Sequence, residues 1–365
     1  MKKLLFLIAI MLIIISCSKE NSEKKEDQLY KSPPEVIRTL NKLVLDSAFK
    51  MNSGAFLKSN ITQSELDSIR KISSVIHSKS IYSTTDTIKH YTVSDYIHFV
   101  IVEATTYPTR SSNPSLSVGV PNGYVLVGGG AHAFDNISGA PITGNGAFLT
   151  ESRPNGSLTL WKGRSKDHMV SDPHYLTVYA IGMKIDGVTS AYLRSQINLD
   201  STVSSSANHP IAQKSVPSGY LLIGGGAFDN YSGYGNMLVK SYPKNSTTWY
   251  VEGKDHRRAD PSTITAYAIG LNNISFANVG YIQTEYIWEN NYVPYGYNHA
   301  ETFVTNDDWG LTCPGGKDTY YHLGRMMISI SPDIPSWGTY DVSTWSSDNY
   351  YPDNGADTAW AIRLQ

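Results

Sequence analysis

The spacing of apolar residues changes period near residue 81. Before it, Val36, Ile37, Leu40, Leu43, Val44 and Ala48 form one stripe at helical spacing, and Leu66, Ile69, Ile72 and Ile76 form a second. Pro33-Pro34 suits a helix start, and Thr62 with Glu65 makes a capping box. The pattern predicts a helical segment over residues 31–80, a hairpin packed on the main domain or a stalk. Beyond it the runs are short and β-rich: "YIHFVIVEATTY", "GYVLVGG", "SLTLWKG" and "YLTVYAIGMKI". Gly, Asn, Pro and Ser clusters separate them, which predicts an all-β domain over residues 81–365.

That domain repeats itself. "VPNGYVLVGGGA" begins at Val120 and "VPSGYLLIGGGA" at Val216. Blocks ending in Lys166-Asp167-His168 and Lys254-Asp255-His256 follow, then "DPHYLTVYAIGM" and "DPSTITAYAIGL" in the same order. Each copy opens with a strand, "YLRSQINLDST" in the second. A third, weaker copy sets Cys313-Pro314-Gly315-Gly316 in the place of Val-Pro-Xaa-Gly and keeps "DTAWAIRL". The copies span about 94–185, 186–275 and 276–365. Units of about four strands that cannot bury their own faces must share a core. The expectation is therefore a three-repeat, pseudo-threefold, β-prism-like body, with a row of separate sandwiches as the alternative.

The first 17 residues, "MKKLLFLIAIMLIIISC", combine two lysines, an apolar run too short to span a bilayer comfortably, and Ser16-Cys17. This resembles a bacterial lipoprotein signal, in which Cys17 is the cleavage point and carries the lipid. Residues 18–30 open with "SKENSEKKEDQ", a charged tether without core-forming residues, similar to surface-export signals of Bacteroidetes lipoproteins. The resemblance implies a membrane partner held through the lipid on Cys17, and an outer-membrane, cell-surface location. With Cys17 acylated only Cys313 remains, so no intrachain disulfide forms. A net charge of -2 without a basic stripe argues against nucleic acid.

The motif "VPxGYxLxGGGA … SxP … W … KDH … DP … YAIG" resembles modules of bacterial secreted proteins, themselves similar to β-prism proteins such as the vitelline membrane outer layer protein. The resemblance covers about residues 94–365. In its Cys-bearing versions two cysteines bridge strand ends. Those positions here are Val120 with Gly182 and Val216 with Gly270, and in the third copy Cys313 with Arg363, which makes Cys313 an unpaired relic.

Gly128 to Gly130 and Gly224 to Gly226 follow a strand and lack both a Walker lysine and a GxGxxG pattern, so they read as close backbone approach and not as a phosphate cradle. The polar constellation with chemistry is Lys166, Asp167 and His168 with Trp161, repeated as Lys254, Asp255 and His256 with Trp249. In a sugar pocket the carboxylate accepts from hydroxyls and the indole meets a pyranose C–H face. In a scaffold the same groups tie a loop by buried hydrogen bonds. Asp135 and Asp229, each followed by Asn, are turn formers or further ligands in glycan-binding loops. GxSxG, HExxH and CxxC are absent, and the 10 histidines lack metal spacing, so neither cofactor nor metal is expected. The sequence thus points to non-catalytic carbohydrate binding through repeated loops. A structural or adhesive envelope protein and a glycan-active hydrolase are the alternatives.

Overall fold

The structure, a computed structural model, describes residues 86–94, 96–134, 146–293, 297–304, 309–333, 340–347 and 353–365. Cys17, the tether and the helical segment of residues 31–80 lie outside the described residues, as does Asp135. The unit Thr84–Gln365 is all-β, its strands paired antiparallel.

Strand β1 (Asp86–Ser94) precedes the first repeat, which holds β2 (Ile97–Thr105), β3 (Ser115–Gly119), β4 (Val125–Phe134), β5 (Phe148–Pro154), β6 (Leu160–Lys166) and β7 (Tyr175–Ile185). Helix α1 (Ser190–Ser195) opens the second, followed by β8 (Ile197–Val203), β9 (Ile211–Ser215), β10 (Tyr220–Asn230), β11 (Met237–Asn245), β12 (Thr248–Lys254) and β13 (Thr263–Asn272). A short pair, β14 (Ser275–Phe276) and β15 (Gly280–Tyr281), leads to the third: β16 (Thr284–Val293), β17 (Tyr297–Val304), β18 (Gly310–Tyr320), β19 (Met326–Asp333), β20 (Tyr340–Ser347) and β21 (Gly355–Leu364).

Each repeat therefore has six strands, against the four that the apolar runs predict. The missed second strands are short in the first two repeats, and β3 and β9 keep most side chains outside the core. The missed fourth strands mix polar and apolar residues, as in "FLTESRP". The start of "YLRSQINLDST" is also not strand: Thr189 accepts from the Tyr192 amide at 3.2 Å and caps α1, so extended backbone begins only at Ile197.

The sheets mix the repeats. One runs β1-β2-β7-β4-β19-β20-β17, the second β3-β6-β5-β10-β13-β8, the third β16-β21-β18-β11-β12-β9. In every sheet the first, sixth and third strands of one repeat join the fourth, fifth and second strands of another. Repeat 1 thereby completes the sheet of repeat 2, repeat 2 that of repeat 3, and repeat 3 that of repeat 1. The seams are β5 on β10, β11 on β18 and β19 on β4. One hydrophobic core takes residues from all three repeats, among them Phe99, Leu126, Ile181, Leu222, Ile269, Leu311 and Ile362. Separate sandwiches are excluded, because no repeat owns a complete sheet.

The glycine triplets lie where the central strands β4, β10 and β18 converge. A Cβ on Gly128 would stand 1.9 Å from the Thr312 carbonyl oxygen, and one on Gly224 would stand 2.6 Å from that of Val127. Each of the three strands carries a bulge at the matching place, and Gly128, Gly224 and Cys313 then face Ile181, Ile269 and Ile362. This register corrects the expected alignment. Cys313-Pro314-Gly315 stands in the place of the glycine triplets, not of Val-Pro-Xaa-Gly. Cys313 is no relic of a bridge to Arg363. It is a buried thiol at the convergence, pushed up to about 11 by burial. The positions that the resemblance assigns to the other two bridges do adjoin: a Cβ on Gly182 would lie 2.9 Å from a Val120 methyl, and one on Gly270 would lie 3.0 Å from a Val216 methyl.

Candidate functional site

The residues picked out by the repeat are brought together, but mostly inside the protein. Trp161 and Trp249 are each 1% exposed. Their indole nitrogens donate to Ser152 Oγ at 3.1 Å and Ser241 Oγ at 3.0 Å. Each ring lies on a glycine: a Cβ on Gly129 or Gly225 would approach it to 2.5 or 2.3 Å. Neither indole has a face left for a sugar.

Lys166 leaves the end of β6 and reaches into the loop between β10 and β11 of the next repeat. Its Nζ donates to the carbonyls of Gly233 at 3.2 Å, Tyr234 at 2.9 Å and Gly235, and stands 3.9 Å over the Tyr231 ring. Lys254 does the same one repeat later, donating to the carbonyls of His322 and Gly324 and standing 3.9 Å over Tyr320. Burial lowers both ammonium groups to about 8, against the pull of nearby carboxylates. The amides of the same loops are held from their own repeat. Asp260 accepts from the Gly233 amide at 3.0 Å, and Asp353 accepts from the His322 amide at 3.0 Å. A lysine from one repeat and an aspartate from the next thus clamp one loop from its two ends. Ser347 replaces the lysine in the third repeat, as its pairing with Met326 shows.

His168 donates from Nδ1 to the Tyr234 carbonyl at 2.8 Å, and its ring lies 4.8 Å from that of His256. Burial keeps both imidazoles neutral, lowering His168 and bringing His256 to about 3. Asp229 is buried, accepts from Ser262 Oγ at 2.6 Å, and is raised by desolvation to about 7. Only Asp167 and Asp255 keep partial access. Asp167 accepts from the Asp172 amide at 3.1 Å, and Asp255 meets His209 Nε2 at 3.2 Å. The expectation of a sugar pocket at Trp161, Lys166, His168, Trp249, Lys254, His256 and Asp229 is therefore corrected: burial leaves these groups no surface for a ligand, and the loops they hold already satisfy their polar atoms at the lysines. No group of three or more His, Cys, Asp or Glu among the described residues is arranged to hold a metal ion.

The exposed chemistry lies on the outer face of the third sheet. Pairing sets Trp288 of β16 beside Trp360 of β21, Trp360 beside Gly315 of β18, and Tyr242 of β11 beside Tyr250 of β12 and, past it, Gln213 of β9. A Cβ on Gly315 would stand 3.1 Å from the Tyr242 Cα, a tight contact, and the glycine is bridged by its neighbours' rings. Ring centroids step 5.8 Å from Trp288 to Trp360, 5.6 Å to Tyr242 and 5.6 Å to Tyr250. Trp288 remains 57% exposed. The polar row beside it contains Asn290, Thr358, Lys317, Lys240 and Glu252. The matching row of the second sheet reads Ser201, Tyr267, Gly226, Arg153 and Lys162. In the first sheet it reads Glu103, Tyr179, Gly130, Ser331 and Ser343. An aromatic residue beside the glycine belongs to the scaffold in all three. Trp288, Tyr242 and Tyr250 belong to one sheet only. Sequence reasoning missed this row because its members come from two repeats and four strands. The one local signal was Trp288, placed at an outward position where the other copies have Ser201 and Glu103.

No protein-family model matches the chain, and no match is found among curated proteins.

Proposed function

We propose that this is a lipid-anchored protein of the bacterial outer surface that binds carbohydrate without chemical turnover, through the outer face of its third sheet. The observation that carries the reading is the row Trp288–Trp360–Tyr242–Tyr250, built on one of three otherwise similar faces. Exposed aromatic groups on a rigid β surface cost solvation and mark contact sites. Indole and phenol rings offer apolar area to sugar C–H groups, and Asn290, Gln213 and Lys317 offer hydrogen bonds to hydroxyls. We read the three sheets as the faces of a prism-like body, a reading supported by the cyclic exchange of half-sheets and by the convergence of β4, β10 and β18.

The hydrolase alternative gains no support. Among the carboxyl pairs that strand pairing sets opposite each other, Asp318 with Asp357 is fully buried and out of reach of a substrate. The adhesive alternative is favoured by one observation, that the repeated motif serves the scaffold. A glycan array probed with the full-length protein in detergent tests the proposal. Retention of defined glycans, lost in Trp288→Ala, supports it. Retention of none leaves the adhesive reading. For the anchor, the expected result is fatty-acid labelling of the wild type and none of Cys17→Ser.

A further inference from the structure

Two lysines stand over the aromatic row. Lys317 Nζ lies 5.9 Å from the Tyr242 ring centre and Lys244 Nζ lies 5.7 Å from that of Tyr250. Lys244 donates to Gln213 Oε1 at 2.9 Å. Neither lysine meets a carboxylate within ion-pair distance among the described residues. The acid of this face, Glu252, is already engaged: it takes Lys240 at 2.7 Å and the hydroxyls of Tyr250 at 3.0 Å and Tyr320 at 2.9 Å. Glu289 neighbours Trp288 in β16 and so points to the other side of the strand. The nearby Glu285 is bound by Arg363.

The two lysine positions, like the rings beneath them, are particular to this sheet. The positions matching Lys317 are His132 and Phe228, and the position matching Lys244 in the first repeat is Asn155, which closes its own turn by accepting from the Thr159 amide at 2.8 Å. On the second sheet Arg153 and Arg164 share the one carboxylate of Glu151, and Lys162 stands in a row that lacks the Trp288, Tyr242 and Tyr250 rings. A cation near an aromatic face is favourable by itself. Two such cations on one ledge, without an acid to balance them, set a positive field along it.

We infer that the third sheet's outer face binds a polysaccharide bearing carboxylate or sulfate groups, laid across the strands with sugar faces on the Trp288–Tyr250 row and its anions on Lys244 and Lys317. This rests on the carbohydrate reading above and narrows it. From β16 to β12 the row crosses four strand spacings, roughly 19 Å, which suits several sugar units and not one. A peptide added as a strand fits less well, because it would run along one sheet edge, whereas the row crosses five strands from β16 to β12.

The test uses the full-length protein in detergent with polygalacturonate, dextran sulfate, neutral dextran and polyglutamate, each titrated at low and raised salt. The expected result is binding of the two acidic polysaccharides, weakened by salt, with neutral dextran and polyglutamate bound at least roughly tenfold more weakly. Lys244→Gln with Lys317→Gln, both at accessible positions, should lose roughly tenfold on the acidic polysaccharides, and Trp288→Ala a similar amount. Lys162→Gln on the second sheet should change nothing. Neutral dextran bound as tightly as the acidic polymers, or a double lysine variant that binds like wild type, overturns the inference and leaves the carbohydrate reading standing. Binding of polyglutamate equal to that of polygalacturonate overturns the glycan class. Failure of every polysaccharide, neutral and acidic, sinks the carbohydrate reading and the inference with it.

Discussion

Glycine serves two separate needs in this chain. Gly123 and Gly219 have φ of +89° and +85° with open space around them, so a side chain there is strained only by the backbone. Gly129 and Gly225 have ordinary backbone but no room, since Trp161 and Trp249 lie where a Cβ would go. Gly129→Val and Gly225→Val should each destabilise by about 1–3 kcal/mol or more through overpacking. Thermal melts of the two variants beside Gly219→Ala separate the causes. The triplet variants should melt lower than Gly219→Ala, whose cost is the ~1–2 kcal/mol of a left-handed residue. Buried acids set a second residue-scale behaviour. Asp318 and Asp357 face each other across β18 and β21, with Ser346 Oγ donating to Asp357 at 2.7 Å. Desolvation raises Asp357 to about 6 and, with its partner's charge, holds Asp318 well above the usual carboxylate range. A proton on Asp318 gives that carboxyl its bond to Asp357. The folded state thus keeps protons that the unfolded chain releases near its ordinary pKa, so stability falls as pH rises from about 4 through about 6. His256 works the other way: held neutral to about 3, it lets stability fall as pH drops below 6.5. Asp318→Asn supplies the donor without a proton and should flatten the loss between about pH 4 and 7. Melting temperatures across that range check it, and an unchanged slope would contradict the shared proton.

At the scale of the element, the loop between the third and fourth strands is the unit that the repeated Lys-Asp-His serves. Lys166 supplies the donor for three carbonyls of the second repeat's loop, and Asp260 takes an amide of the same loop. Lys166→Met keeps the stem's bulk, leaves the Tyr234 carbonyl its bond from His168, and takes the lysine donor from Gly233 and from the buried Gly235, at a cost of about 1–3 kcal/mol where water does not reach. Amide exchange should then quicken across residues 231–236 and stay slow across 320–325, where Lys254 still holds its carbonyls. Lys254→Met should reverse the two. How much of this was legible follows from where the partners sit in sequence. The β spacing, the internal copies and the need for glycine at a close approach were readable, because each is a local pattern set by side-chain size and period. Lys166 and the carbonyls of Gly233 to Gly235 lie in different repeats, so the sequence showed a polar triad and not what it holds. The register of β18 was hidden for a similar reason. A bulge before Cys313 shifts the strand by one, and only pairing with Ile362 reveals that Cys-Pro-Gly replaces Gly-Gly-Gly. The aromatic row was the least legible, since Trp288, Trp360, Tyr242 and Tyr250 meet only after half-sheets of the second and third repeats join.

For the whole molecule the exchange of half-sheets has a mechanical consequence. Residues 186–275 contain β8 to β13 in full, yet these strands form two halves of different sheets. In the isolated fragment β10 would lose β5 at its edge, and β11 would lose β18. The central strands would lose the convergence at Gly224, where Val127 and Cys313 from the other repeats close in. Two three-stranded halves with exposed inner faces and open edges do not make an independent core. The fragment should therefore show no cooperative melt and should associate or aggregate, while residues 84–365 unfold in one transition, since a single core joins all three repeats. Calorimetry on both decides the matter. A sharp transition of the fragment, with the enthalpy expected for its length, would mean that each repeat closes on itself. The further expectation concerns complementation. The half-sheets are exchanged in a cycle, so a chain cut in the turn between β14 and β15, within residues 277–279, keeps every strand and severs one covalent link. Its two pieces, expressed together, should reassemble and co-purify, because the β11–β18 and β19–β4 seams and the shared core join them without the backbone. Pieces that purify apart, each folded, would show that the seams contribute little and that the repeats stand alone.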